Sequence, residues 1–354
     1  MRAEIADRVQ TVLGMVDADF LGVTLPHEHL LLDSSCWFEE PSEAAERVLV
    51  HQPISLQNVD WVNRHPCNNL DNLKMFDEQV ATDEALLFKK AGGGTIVDLT
   101  NIGLGRTPLA LVRIARLTGL NIIMGAGYYL QSSHPPKLAT MTDEEIADEI
   151  VRDITVGIDE TGVRAGIIGE IGCSTPLTEN ERKVLRASAS AQKRTGSAIN
   201  IHNDCEKQAL EIIRILADAG ADLSHVILSH IDDWGDNPTI LPKLIEAGCY
   251  LSFDWFGHEV GCLPTNLEPN YVLSDAQRIS SIIRLIAHGY LNRILISHDV
   301  GEKRLFTKWG GFGYAHILRH VVPLMRQKSI SEEVIHTILV ENPKRVLRFS
   351  KVTT

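Results

Sequence analysis

Short runs of β-forming residues, apolar on both sides of their alternation, recur along the chain, as strands covered on both faces require. They read "LGVTLPHEH" (21–29), "GGTIVDLT" (93–100), "NIIMGAGYY" (121–129), "AGIIGEIG" (165–172), "SAINIHND" (197–204), "HVILSHID" (225–232), "CYLSFDWF" (249–256) and "RILISHD" (293–299). Between most neighbours lies an amphipathic stretch of helical length, for example "MTDEEIADEIVRDI", "NERKVLRASASAQKRTG" and "CEKQALEIIRILADAG". Several end in Gly, the residue that most easily takes the left-handed conformation closing a helix. The pattern predicts an α/β chain with a parallel sheet, and the count of eight runs favours a closed (β/α)8 TIM barrel over an open doubly wound sheet. No glycine-rich nucleotide fingerprint follows the first run, and "AGGGTIVD" precedes a strand, where the end of a helix accounts for it. Residues 34–78, rich in Pro, Asn and acids, break the repeat. They read as a long loop insertion with short helices over the barrel mouth, within one domain spanning 1–354.

The polar positions that interrupt these runs gather where the strands end. "VTLPHEHLLLD" (23–33) reads as a buried strand, yet it contains His27 and His29. Residues two apart on a strand share a face, so both imidazoles point into the barrel if either does. Glu170 lies in "GIIGEIG", His202 in "INIHND", His230 in "ILSHID" and Asp299 in "ILISHD", each at the C-terminal end of an apolar run. One such residue is ordinarily a hydrogen-bonded core or cap group. Repeated on separate strands, imidazoles and carboxylates would cost several kcal/mol each to bury unpaired, so something must compensate them. A divalent metal does so, and nitrogen with carboxylate oxygen suits Zn, Mn, Co or Fe rather than Mg or Ca. Six candidate ligands exceed the needs of one catalytic zinc, which leaves room for a binuclear site bridged by a carboxylate and a solvent molecule.

Charge narrows the partners. The formal net charge is −12, with Lys and Arg scattered rather than gathered in a stripe, which argues against nucleic acid. The first residues carry acids and no apolar signal region, and no apolar run approaches the ~20 residues of a membrane helix, so a cytoplasmic protein without a membrane partner is expected. Six cysteines lie far apart with no C-x-x-C spacing, as in a reduced protein.

The segments "TVLGMV", "TLPHEHLLLD", "GIIGEIGCS", "PLTENERKVL", "NIHND", "LSHID", "SHD" and "ENPKRVL" resemble the phosphotriesterase-related proteins of the amidohydrolase superfamily, from about residue 10 to residue 348. The resemblance implies that His27, His29 and Asp299 bind the more buried of two metals and that His202 and His230 bind the more exposed one. It implies Glu170 as the bridging ligand, where phosphotriesterase itself has a carboxylated lysine, and this departure argues against organophosphate hydrolysis. Zn is the expected ion, with Mn, Co or Fe compatible. A hydroxide between the metals would attack an ester, lactone or amide, with Asp299 as the catalytic proton carrier. Relatives include lactonases, organophosphate esterases and an amidase of N-acetylated taurine, and homodimers are the expected assembly. The competing readings are a metal-dependent lyase or decarboxylase and a catalytically silent zinc-binding barrel.

Outside the metal ligands the candidates concern a small-molecule substrate. Tyr128 and Tyr129 end the third run, where one hydroxyl is placed to reach it. Arg304, in the glycine-rich loop after the eighth run, is a candidate partner for an acidic substrate group, against a plain reading as a solvated surface charge. Asp254 and His258 follow the seventh run as pocket or supporting residues. His298, Cys173 and Cys205 read as packing.

Overall fold

The computed structural model describes residues 7–203, 205–234, 237, 239–259 and 272–351. Eight strands form one sheet in sequence order: β1 Val23–Glu28, β2 Gly93–Asp98, β3 Asn121–Ala126, β4 Ile167–Gly172, β5 Ile199–His202, β6 Val226–Leu228, β7 Tyr250–Phe253 and β8 Ile294–Ile296. Every neighbouring pair is parallel, and each coincides with one of the eight runs read from the sequence.

A helix crosses over between each pair of successive strands: α1 Glu78–Lys90, α2 Pro108–Thr118, α3 Asp143–Thr155, α4 Glu179–Thr195, α5 Glu206–Asp218, α6 Leu241–Glu246 and α7 Asp275–Ala287. Local sequence sets their ends. Thr142 with Glu145 and Thr178 with Glu181 form capping boxes that satisfy the first free amides of α3 and α4. Gly119 (φ 65°) and Gly196 (φ 76°) terminate α2 and α4 in the left-handed region, where a side chain would be strained.

Alternate strand residues divide the core into two layers. Ile96, Ile122, Ile168, Leu228 and Leu251 pack outward with helix residues such as Ile114 and Ile150. Val97, Ile123, Ile167, Ile227 and Leu295 gather with Val9, Leu21 and Leu347 to fill the barrel interior. Toward the C-terminal ends the interior turns polar, with Asn200, Ser229, Ser252 and Ser297 all fully buried.

Between β8 and β1 the barrel is closed by side chains rather than by a ladder. The Ser297 hydroxyl donates to the His27 carbonyl at 2.7 Å and accepts from the His27 amide at 3.2 Å. Glu28, fully buried, accepts from the His298 amide (2.9 Å), the His298 ring Nδ1 (2.7 Å) and the Val300 amide (3.0 Å). His298 is therefore a hydrogen-bonded member of the seam and not mere packing. Residues 34–78 contain the short helices expected of them, at Ser35–Trp37, Arg47–Leu49, Val59–Arg64 and Pro66–Asn68. The sequence did not suggest the two-residue antiparallel pairing of Leu32–Asp33 with Lys74–Met75 that fastens the base of this insertion.

Removing the Glu28 carboxylate strands several buried donors at once. Glu28→Ala should destabilise the fold by about 3–5 kcal/mol, read as a lower denaturant midpoint. An unchanged midpoint would show that the seam does not depend on this group.

Candidate metal centre

The parallel register brings the ends of β1, β4, β5, β6 and β8 to one rim, and there the six predicted ligands meet. His27 Nε2 lies 3.5 Å from Glu170 Oε1 and 3.4 Å from Asp299 Oδ1. His29 Nε2 lies 3.3 Å from Asp299 Oδ1 and 3.8 Å from Glu170 Oε2. Glu170 Oε1 also contacts His202 Nδ1 at 2.6 Å and His230 Nε2 at 3.1 Å. Two sets of three groups, His27–Glu170–His230 and His27–His29–Asp299, place their donor atoms within 4.8 Å of one another.

A layer of buried groups behind this cluster fixes the rings. Asp254, fully buried, accepts from His27 Nδ1 at 2.9 Å through one oxygen and from His230 Nδ1 at 2.9 Å through the other. A carboxylate at Nδ1 holds the proton there and leaves Nε2 as the nitrogen that gives up its proton and turns its lone pair on a metal. Thr100 does the same for His29, at 3.0 Å from Nδ1, and is itself held by Asp98. His230 (φ 59°) and Asp299 (φ 51°) occupy the left-handed backbone region, a local cost of about 1–2 kcal/mol each that aims both side chains into the cluster.

The residues fit a divalent metal on an observation of their own: His27 Nε2 is fully buried, sits among carboxylates and has no hydrogen-bond partner. Charge argues the same way. Burial pushes Glu170, Asp254 and Asp299 toward the neutral form, yet the neighbouring imidazoles reverse this and hold Glu170 and Asp254 well below the usual carboxylate range and Asp299 at about 2. Burial likewise disfavours the charged form of His27 and His230, and the surrounding carboxylates, Asp299 and Glu170 on His27 and Asp254 on His230, outweigh it and raise both well above the ordinary histidine value. Protons thus balance the buried anions, in positions that a divalent cation would take over.

The cluster floors a cavity of about 100 Å³, with His29, Glu170, His202, His230 and Asp299 in its wall. The insertion supplies Ser34, Trp37, Cys67 and Leu73, and the loop after β8 supplies Gly301, Glu302 and Leu305. Of the five substrate candidates, two line it. Tyr129 does, with its hydroxyl 3.3 Å from His202 Nδ1 and accepting from Trp37 Nε1 at 3.0 Å. His258 does too, its Nε2 donating to the His298 carbonyl at 2.7 Å. Tyr128 points the other way, as consecutive residues must, and its hydroxyl donates to Glu149 of α3 at 2.8 Å. Asp254 is sealed behind the histidines it orients.

Arg304 is not the solvated cation its loop suggested. It is buried, and its Nε donates to the carboxylate of Glu302, a residue of the cavity wall. Trp37, Thr100 and Glu302 went unnoticed in the sequence. Nothing local marks Trp37 within the insertion, and Thr100 could have been found only by asking what holds the outer nitrogen of His29. Cys173 is buried in the core and Cys205 half-buried, and neither belongs to the ligand sets found among the described residues.

The phosphotriesterase family model matches residues 7–347, nearly the whole chain. The chain belongs to the phosphotriesterase family. Membership makes it a hydrolase of a metal-dependent group that acts on small molecules. The N-acetyltaurine hydrolase of Dictyostelium discoideum is 42% identical over 365 residues, spanning 97% of this chain and 98% of that protein. The human N-acetyltaurine hydrolase is 41% identical over 350 residues, spanning 98% and 99%. Among solved structures, a resiniferatoxin-binding protein from Rhodobacter sphaeroides superposes with a TM-score of 0.93 at 38% identity, covering 96% of this chain and 95% of that one. Among the described residues no helix is long and apolar enough to cross a membrane.

Ligand histidines must be neutral, whereas His27 and His230 hold protons strongly beside the carboxylates that face them. Metal binding near pH 7 should therefore release protons, and affinity should fall as pH drops. Titration calorimetry in buffers of different ionisation enthalpy checks this, and a binding heat independent of the buffer contradicts it. Asp254→Asn should weaken metal binding by about 10–100-fold, because neither histidine then keeps its orienting carboxylate.

Proposed function

We propose that this phosphotriesterase-family chain hydrolyses the amide bond of a small N-acylated amine, with two divalent cations, Zn by preference, at the rim of the barrel. The observation that carries the reading is the six-residue cluster opening onto a cavity through Asp299, whose side chain is 19% exposed while Glu170 behind it is 3% exposed. The amide is favoured over esters, lactones and phosphotriesters by full-length similarity of about two residues in five to N-acetyltaurine hydrolases of distant organisms.

His27, His29 and Asp299 would hold one cation and His202 and His230 the other, with Glu170 between them. Such cations supply Lewis acidity, polarising the scissile carbonyl and making hydroxide available near neutral pH. The chain does the rest. Asp254 and Thr100 keep the imidazoles in place. Asp299, an acceptor at the edge of the cavity, takes the proton that attack releases and delivers it to the departing nitrogen, which would otherwise leave as an unstable amide anion. Tyr129, held from one side by Trp37, stands over His202 where the acyl oxygen must lie. Trp37, Cys67, Leu73, Leu104 and Leu305 exclude bulk water and leave room for a small acyl group. A homodimer in the cytoplasm remains the expected setting.

The experiment is chelation and rescue. Protein stripped of metal and reconstituted with Zn or Mn is assayed against N-acetyl amines, lactones and phosphate esters. Amide hydrolysis should vanish on stripping and return on reconstitution. Asp299→Asn should lower kcat by about 10²–10⁴-fold. Activity that survives chelation, or an Asp299→Asn enzyme as fast as the parent, would remove the reading. One metal per chain with release of carbon dioxide would replace it with a lyase.

A further inference from the structure

We infer that Glu302 sets the charge specificity of the cavity, so that the amine portion of the substrate is neutral or cationic and not an anion. The inference rests on the proposed amide hydrolysis and names its substrate class. Three observations carry it.

First, no Lys or Arg lines the cavity among the described residues, while Glu302 does. The residues outside the description add little of the missing sign, since Arg2 is the one basic residue they contain. Second, the nearest guanidinium is already committed. Arg304 is 5% exposed and donates to Glu302 Oε2, and Asn72 of the insertion donates to the same oxygen at 3.3 Å. Of the pair, Glu302 and not Arg304 is in the cavity wall, and Oε1 accepts no hydrogen bond from any described residue. Lys303, the next cation in the loop, is drawn away to Asp71 at 2.6 Å and lies over the Trp309 ring.

Third, the opposite end of the cavity does not supply a compensating positive charge. Two divalent ions would bring four charges, which Glu170, Asp254, Asp299 and one hydroxide would balance. With that end neutral, the remaining fixed charges are the Glu302 carboxylate in the wall and the Arg304 guanidinium paired with it, and the carboxylate is the one that lines the cavity. A sulfonate or carboxylate tail would have to shed water beside it with no cation in the wall among the described residues, whereas an ammonium or a hydroxyl tail could bind Oε1 directly.

Three amides with the same two-carbon spacer separate the cases: N-acetyltaurine (anionic), N-acetylethanolamine (neutral) and N-(2-aminoethyl)acetamide (cationic). Metal-loaded enzyme should show kcat/KM for the cationic amide about tenfold or more above that for N-acetyltaurine. Glu302→Gln keeps the shape and an acceptor for Arg304 but removes the charge, and should shrink this ratio by about tenfold. N-acetyltaurine cleaved as well as or better than the cationic amide, or a ratio that Glu302→Gln leaves alone, overturns the inference. If none of the three is hydrolysed, the amidase reading falls by itself. Dissociation constants of the same molecules from calorimetry then decide the charge preference, with the cationic amide binding tightest if the inference holds and N-acetyltaurine binding at least as tightly if it fails.

Discussion

Three carboxylates and four imidazoles cannot be desolvated together at one end of a barrel unless positive charge is brought to them. Glu170, Asp254, His27 and His230 are all buried, and Asp299 is more exposed than any of them where the cluster meets the cavity. Protons on His27 and His230 meet the requirement in the metal-free protein, and divalent cations meet it better because they also satisfy the His27 Nε2 that no side chain hydrogen-bonds. The histidines are fixed by other carboxylates and hydroxyls from behind, so the cluster is organised before any ion arrives. Preorganisation of this kind removes the cost of gathering like-charged ligands at the moment of binding.

The fold serves this constraint directly. Parallel strands deliver their C-terminal ends to one rim, and the interior of the barrel changes there from apolar to polar. The seam between β8 and β1 is where His27 and Asp299 belong to neighbouring chain segments, and the Asp299 amide donates to the His27 carbonyl at 3.2 Å. Glu28 and Ser297 hold that junction, so a residue with no access to substrate controls the spacing of two candidate ligands. Left-handed backbone at His230 and Asp299 is tolerated because neighbouring hydrogen bonds over-determine it.

Much of this was legible in the chain because it follows from period and position. Eight apolar runs with chemistry at their C-terminal ends specified the barrel, and the i, i+2 spacing of His27 and His29 put both on one face. Other parts depend on long-range partners. Asp254 read as either a pocket or a supporting residue, and only the fold decides for support, with His27 on β1 and His230 after β6 converging on it. Arg304 looked like a free cation, and only the fold shows Glu302 two residues earlier turning to cover it. Tyr128 and Tyr129 were equivalent in sequence until Glu149 on α3 and Trp37 of the insertion separated them. Glu28 had no visible function because its three N–H donors lie some 270 positions away.

The account therefore turns on where cations sit. Anomalous X-ray scattering from crystals of zinc-reconstituted protein, collected on both sides of the zinc absorption edge, locates them directly. Two peaks should lie within ~2.0–2.2 Å of ligand atoms, one against His27, His29 and Asp299 and the other against His202 and His230, with Glu170 reaching both. Zinc bound elsewhere on the chain, or no peak among these six side chains, would contradict the account.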